Sequence, residues 1–371
     1  MNLALCSVTK SFGAHRVLIS VQCELPAGQI STVLGISGSG KTTLLRLIAG
    51  LETPDQGDVF LAGERLTDRL PQERNIGFVF QDLALYPHLS VERNIVLPLL
   101  AHGWISRDAH ARAAHIAKEF GLAGFLARRA GSLSGGEAQR LALARTLVRE
   151  PAVTLLDEPF SHLDAPLQRE ARRFVFSTLR DRGATAVLVT HNHQDAQEAG
   201  GKVVFLDRGR IVQEGAWTDL YHHPATPLVA RVVSFLEPVE LRGIVASDAG
   251  RQILDCPKVG LRIGLDGQVI GTVPPMGQGA LLFARPEDLR AQPQEETAQG
   301  GDRSHSLRGT VVESFMAGHT LFYRLRHVSG FLFAGRAESP LQPIGAELVV
   351  DLDSAPKIIF SEATNEESHA R

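Results

Sequence analysis

Cysteine is scarce in this 371-residue chain: Cys6, Cys23 and Cys256 show neither metal-type spacing nor a disulfide framework. They are expected to sit reduced in apolar surroundings. Long apolar runs are also missing. The stretch from Asn94 to Ala101 is short and contains Pro98, whereas a spanning helix needs roughly 18 apolar residues. The polypeptide is therefore not expected to cross a bilayer. Charge of one sign is not in excess either. With 38 basic and 41 acidic residues the formal charge is −3, which gives no electrostatic reason to expect nucleic acid as a partner. The beginning, Met1-Asn2-Leu3-Ala4-Leu5-Cys6, has no basic leader or apolar export core, so a cytoplasmic location is expected.

What is present is ordinary for a soluble globular protein, 44% hydrophobic and 21% charged. The length suggests two or three units. Ile30-Ser31-Thr32-Val33-Leu34 reads as a buried strand, as do Ala152 to Leu156, Ala184 to Thr190 and Lys202 to Leu206, with helical stretches between them. That alternation predicts an α/β sheet with ligand loops at the strand ends. Residues 86–150 change to a helical pattern, including the Ala- and Arg-rich run from Arg107 to Phe120, and read as a helical subdomain inserted in the core. After about Glu240, short alternating segments such as Ala280 to Phe283, Thr310 to Glu313 and Leu321 to Leu325 predict a small β domain or a pair of β lobes over 240–360. Gln292 to His305 is expected to be an exposed connection and 361–371 a mobile tail.

The chemistry is concentrated in separated segments. Gly35-Ile36-Ser37-Gly38-Ser39-Gly40-Lys41-Thr42 joins the first strand to a helix predicted over Lys41 to Gly50. Its glycines let main-chain amides approach phosphates, Lys41 supplies a cation near the β and γ phosphates, and Thr42 offers a hydroxyl to magnesium. Gly35, Ser37, Gly38, Ser39, Gly40, Lys41, Thr42 and Thr43 are the candidate nucleotide-binding residues of this loop. A glycine turn before a helix is the bland alternative, which the fixed spacing disfavours. Asp157 ends an apolar strand and can hold magnesium through water, while Glu158 can polarise an attacking water. Leu133-Ser134-Gly135-Gly136-Glu137 contains a Ser-x-x-Glu capping box, and its two glycines expose amides at a helix start. Capping and phosphate binding are compatible readings of that segment.

In this order, over about the first 235 residues, these motifs resemble those of ABC transporter ATPase subunits of the binding-protein-dependent importer type. The resemblance implies a P-loop NTPase core over 1–235, ATP and Mg2+ as ligands, and a head-to-tail dimer in which Ser134, Gly135, Gly136 and Glu137 of one copy meet the nucleotide held by the other. It implies further that Phe12 stacks on adenine, that Gln81 in Val79-Phe80-Gln81-Asp82 joins Thr42 and Asp157 around the metal, that His191 contacts the γ-phosphate, and that Asp164 in Ser161-His162-Leu163-Asp164 crosses the dimer interface. Alone, Phe12 would more often be a core residue and Gln81 a polar strand end; His193 reads as a surface or satisfied core residue.

Leu85-Tyr86-Pro87-His88-Leu89-Ser90-Val91-Glu92-Arg93-Asn94-Ile95 resembles the importers' coupling region, implying a separate membrane permease, indirectly an extracytoplasmic solute-binding protein, and a place at the cytoplasmic face of the cell membrane. Phe283-Ala284-Arg285-Pro286-Glu287-Asp288-Leu289 and Leu307-Arg308-Gly309-Thr310-Val311-Val312-Glu313 resemble a TOBE-like, OB-type β domain serving dimerisation and regulation. The sequence departs from the family at Glu137, His162 and Asn192, none a central catalytic group; Glu137 is expected to fold back onto the helix amides. The solute class leans to ferric iron, a polyamine or an inorganic anion, ahead of a sugar. DNA-repair relatives carry long coiled coils and translation-associated ones two cassettes, and the chain has neither sustained heptads nor a second cassette. A purely regulatory nucleotide binder is disfavoured by Glu158 and His191.

Overall fold

The computed structural model describes residues 2–266, 268–293, 306–337, 341–352 and 355–362. Residues 294–305 of the expected polar connection and 363–371 of the expected tail lie outside the described residues. The chain divides into two compact units, 1–217 and 218–371. The division precedes position 235 because Ala230, on the helix Pro227–Val233, packs against Leu281, Phe283 and Ile358 of the second unit.

In the first unit the strands are β1 (Leu3–Phe12), β2 (His15–Leu25), β3 (Ile30–Leu34), β4 (Gln56–Leu61), β5 (Glu64–Arg65), β6 (Ile76–Val79), β7 (Val153–Asp157), β8 (Ala186–Thr190), β9 (Lys202–Asp207) and β10 (Arg210–Ala216). The helices are α1 (Lys41–Ala49), α2 (Val91–Leu100), α3 (Ser106–Glu119), α4 (Gly135–Leu147), α5 (Ala165–Asp181) and α6 (His193–Ala199). A six-stranded sheet runs β10-β9-β3-β8-β7-β6, with β3, β6, β7, β8 and β9 mutually parallel. Every residue of β3, β7 and β8 is buried, which is why these strands read as continuous apolar runs instead of alternating ones.

A second sheet, β2-β1-β4-β5, has no counterpart in the sequence reading. Its apolar residues Leu3, Leu5 and Val8 are all buried, but the step between the last two is three residues. Ser7 adopts φ 50° and Ser20 φ 48°, and the β1–β2 register shifts beside both. These bulges break the period-2 pattern that would announce a strand pair. The sheet buries Leu18, Val21 and Leu25 against Leu44, Leu45, Leu47 and Ile48 of α1. On one face of the six-stranded sheet, Ile95, Leu99, Ala113, Ile116 and Leu143 of α2, α3 and α4, with Phe120 just after α3, join Val79, Leu156 and Leu188 in one cluster.

The C-terminus of α1 is closed by two devices. Gly50 at φ 78° supplies a left-handed cap. Arg74, only 3% exposed, donates from Nη1 to Leu47 O (2.8 Å) and Ile48 O (2.9 Å), from Nη2 to Thr67 O (3.1 Å) and from Nε to Arg69 O (3.0 Å). A cation among the last carbonyls of a helix complements its dipole and satisfies acceptors that no further turn can reach.

The second unit carries β11 (Val239–Asp248), β12 (Arg251–Cys256), β13 (Leu261–Gly264), β14 (Val269–Ile270), β15 (Gly279–Ala284), β16 (Arg290–Pro293), β17 (Ser306–Ala317), β18 (Thr320–Arg326), β19 (Leu332–Ala337), β20 (Glu347–Asp351) and β21 (Lys357–Ser361). Among the described residues they form a sheet β13-β12-β11-β15-β21-β14 and a closed barrel β16-β19-β18-β17-β20. Both belong to the one compact unit 218–371. The small barrel fits an OB-like domain, and one apolar cluster, including Leu282, Leu289, Leu307, Tyr323 and Val350, runs through both.

Arg74→Met is expected to take the Arg74 donor from the Ile48, Thr67 and Arg69 carbonyls and leave Leu47 O with the Gly50 N–H, destabilising the first unit by about 3 kcal/mol. Urea unfolding followed in that unit reads this as a lower midpoint; an unchanged midpoint contradicts the capping role.

Candidate functional site

The loop between β3 and α1 is fixed by sterics as much as by hydrogen bonds. A Cβ on Gly35 would lie 2.2 Å from the Leu206 carbonyl oxygen, so no larger residue fits beside β9. Gly40 holds φ 103° and lies within 2.8 Å of Val17 O at its own would-be Cβ. Ile36, Ser37 and Gly38 form the exposed tip, with Thr42 exposed and Thr43 half-buried behind them. Lys41 is buried, and its Nζ donates to Gly35 O (3.0 Å) and Ile36 O (2.9 Å). An ammonium has three donors, so one is left for a ligand. Burial lowers the Lys41 pKa, an effect opposed by the charges of Glu158 and Asp157. Among the described residues the buried Ser39 hydroxyl has no hydrogen-bond partner, a polar group that suits an anionic ligand in the loop.

Because β3, β7 and β8 are parallel, their C-terminal ends fall on one edge. Asp157 closes β7, where Thr42 Oγ1 donates to its Oδ1 at 3.2 Å. Burial pushes the Asp157 carboxyl upward, with the Thr42 bond and the Arg46 and Lys41 charges pulling the other way. These hard oxygen donors, with the Gln81 amide just beyond β6, are of the kind that hold Mg2+. Asp157 stands opposite Val189 in the β7–β8 ladder, so the residues that follow the two strands emerge side by side. Glu158 adopts a left-handed φ of 43° and donates its N–H to Val189 O at 2.9 Å. That rare conformation brings Glu158 Oε1 to 3.1 Å from His191 Nδ1.

Lys41, Thr42, Asp157, Glu158 and His191 thus converge beside the rest of the loop, whereas Phe12, Ser134, Gly135, Gly136, Glu137 and Asp164 stand at separate places. Phe12 ends β1 with 47% exposure, the Lys10 ammonium 5.2 Å from its ring centroid; it is a surface aromatic, not a core one. Ser134 N-caps α4 as a full capping box: its N–H donates to Glu137 Oε2 at 2.8 Å and its Oγ accepts the Glu137 N–H at 3.4 Å. The Glu137 carboxylate folds back as expected, and the Ser134 amide is the first cause of its lowered pKa. Gly135 lies against Leu163 while Gly136 faces open space. Among the described residues no hydrogen bond links this segment to the phosphate loop. Asp164 N-caps α5 through the Leu167 amide at 3.0 Å, and Asn192 caps α6 through Gln194 at 2.9 Å. His162 is exposed, while His193 is part-buried and stacks on Trp217 at 6.2 Å.

In the segment after Gln81, the Asn94 side chain is fully buried. It accepts from Tyr86 N (2.9 Å) and donates to Tyr86 O (3.1 Å) and Ser90 O (3.0 Å), tying the loop at Tyr86 to the first turn of α2. Sequence reasoning missed the buried set Arg172, Thr190 and Asp195 next to His191. A Thr directly before the histidine was its only local sign.

The ABC transporter family model matches residues 18–161. The chain is 42% identical over 241 residues to the sulfate/thiosulfate import ATP-binding protein CysA of Thermosynechococcus vestitus, covering 65% of this chain and 71% of that protein. It is 36% identical over 315 residues to the spermidine/putrescine import ATP-binding protein PotA of Methylococcus capsulatus, covering 84% and 80%. A solved dimeric ATP-binding cassette in a post-hydrolysis state, bound to ADP and Pi, is similar with TM-score 0.52 and 30% identity, covering 58% of this chain and 98% of that one.

Since the depressed Glu137 pKa means that its contacts stabilise the fold above the ordinary value of 4.5, that contribution is expected to fade as pH falls through the depressed value. Glu137→Gln keeps an acceptor at the same helix position. Its unfolding midpoint is expected to depend less on pH than wild type between about pH 5 and pH 3; parallel curves contradict the assignment.

Proposed function

The chain belongs to the ATP-binding subunits of ABC importers, and from that membership we propose how its residues divide the work. It is an ABC-type ATPase, and it energises solute import. The observation that carries the residue assignment is the convergence of Lys41, Thr42, Asp157, Glu158 and His191 at the ends of three adjacent parallel strands.

In this reading the loop Gly35, Ser37, Gly38, Ser39, Gly40, Lys41, Thr42 and Thr43 binds the phosphates of ATP, and Phe12 offers a stacking face to adenine. Thr42, Asp157 and Gln81 hold Mg2+, which when bound neutralises charge on the transferring phosphoryl group. Glu158 accepts a proton from the attacking water while His191 fixes its carboxylate and contacts the γ-phosphate. The capping box keeps the Glu137 charge on its own helix, leaving Ser134 and the open Gly136 free to meet phosphate oxygens from another copy. Two chains then close head to tail around two nucleotides, with Asp164 at the interface.

The partner of this motor is a membrane permease that meets the segment 86–94 at the cytoplasmic membrane face, with a solute-binding protein acting on the far side. Among the described residues no helix is long and apolar enough to cross a membrane. The second unit serves as a TOBE-like dimerisation and regulatory domain. The solute is ferric iron, a polyamine or an inorganic anion. The two relatives' names, one for sulfate and thiosulfate and one for spermidine and putrescine, support small ions as the class.

Glu158→Gln, which keeps binding groups but removes the base, is expected to elute as a dimer with Mg2+-ATP and as a monomer without nucleotide. A monomer under both conditions contradicts the closed dimer.

A further inference from the structure

One buried polar chain ends on the peptide that carries His191. Arg172 of α5 is 1% exposed and donates from Nε to Asp195 Oδ1 at 2.8 Å and from Nη1 to Glu198 Oε1 at 3.0 Å. The second oxygen of Asp195 accepts from Thr190 Oγ1 at 2.6 Å. That hydroxyl in turn accepts the Asn192 N–H at 3.0 Å. Thr190 therefore ties together the residues on both sides of His191 and anchors them to α6 and α5. The same guanidinium lies 5.9 Å from the Phe160 ring centroid, two residues beyond Glu158. Arg172 thus reaches the residue before His191 through Asp195 and lies near a ring two residues beyond Glu158.

Stability alone does not account for such an arrangement. Removing a charge pair from water carries a desolvation cost that the pair's attraction must first offset, and apolar replacements are often as stable. A fully satisfied buried network does, however, fix geometry closely. Here the fixed element is the short turn Thr190–Asn192, whose middle side chain reaches Glu158 at 3.1 Å.

We propose that Arg172, Asp195 and Thr190 are positioning residues for ATP turnover, holding the His191 imidazole against Glu158 from behind the strand end. The proposal rests on the roles given above to Glu158 and His191. Supporting groups of this kind, one contact removed from the reacting atoms, carry large rate effects without touching the ligand.

The test uses the full-length chain and Thr190→Val, which keeps shape and removes only the hydroxyl. Two readouts are taken: the imidazole nitrogen resonances of His191 without nucleotide, and kcat with ATP affinity in the presence of Mg2+. The expected result is a shifted His191 resonance and kcat lower by roughly ten-fold or more, with ATP affinity within about two-fold of wild type. Thr190→Ser, which restores the hydroxyl, is expected to return both readouts toward wild type. An unmoved resonance or a wild-type kcat overturns the proposal. If Thr190→Val does not fold, Asp195→Asn carries the same two readouts. His191→Ala separates the failures: wild-type turnover in that variant overturns the role of His191 itself, whereas lost turnover there with wild-type Thr190→Val overturns only the positioning network.

Discussion

Everything at the site depends on holding opposite charges out of water where three parallel strands end. Burial works against the charged forms of both Lys41 and Asp157, raising the acid and lowering the base. Each is compensated locally, Lys41 by the Gly35 and Ile36 carbonyls and Asp157 by the Thr42 hydroxyl. A polyphosphate with its divalent cation matches this arrangement, since it brings anionic oxygens to the lysine and positive charge to the carboxylate. Compensation by the protein alone is enough to hold the side chains in place, and a ligand completes it.

The rest of the first unit reads as support for that edge. β2 presses Leu18, Val21 and Leu25 onto α1 from one side, and Arg74 closes the helix at its far end. Glycines at 35 and 40 let the loop pass close to Leu206 and Val17. The left-handed backbone of Glu158 stores a conformation that an acid rarely adopts, and its bond to Val189 keeps it there. Rigid strand ends, a strained turn and a buried ion pair together define where His191 and Glu158 meet.

Much of this was legible in the sequence because its signals are local. The phosphate loop lies within eight consecutive positions, the Asp157–Glu158 pair ends an apolar run, and Ser134 with Glu137 spells its own cap. The exposure of Phe12 was not legible, because an aromatic at a strand end has no pattern that separates core from surface. The β1–β2 sheet escaped because Ser7 and Ser20 each add a residue to the alternation. Arg74 and Arg172 escaped for a different reason. Their partners come from segments far apart in the chain, so no spacing rule connects Arg172 to Asp195 or Arg74 to Leu47. Likewise, the alternation after Glu240 announced strands, but barrel closure is set by pairings such as Leu307 with Val350 that only the folded chain makes.

The central claim is that each nucleotide is enclosed by Lys41 from one copy and Ser134 from another. Its most direct test is a crystal structure of Glu158→Gln with Mg2+-ATP. The account predicts Ser134 Oγ of the opposing copy at about 2.8 Å from a γ-phosphate oxygen of the nucleotide held at Lys41. A fully loaded structure in which Ser134 meets no phosphate, or meets that of its own chain, contradicts it.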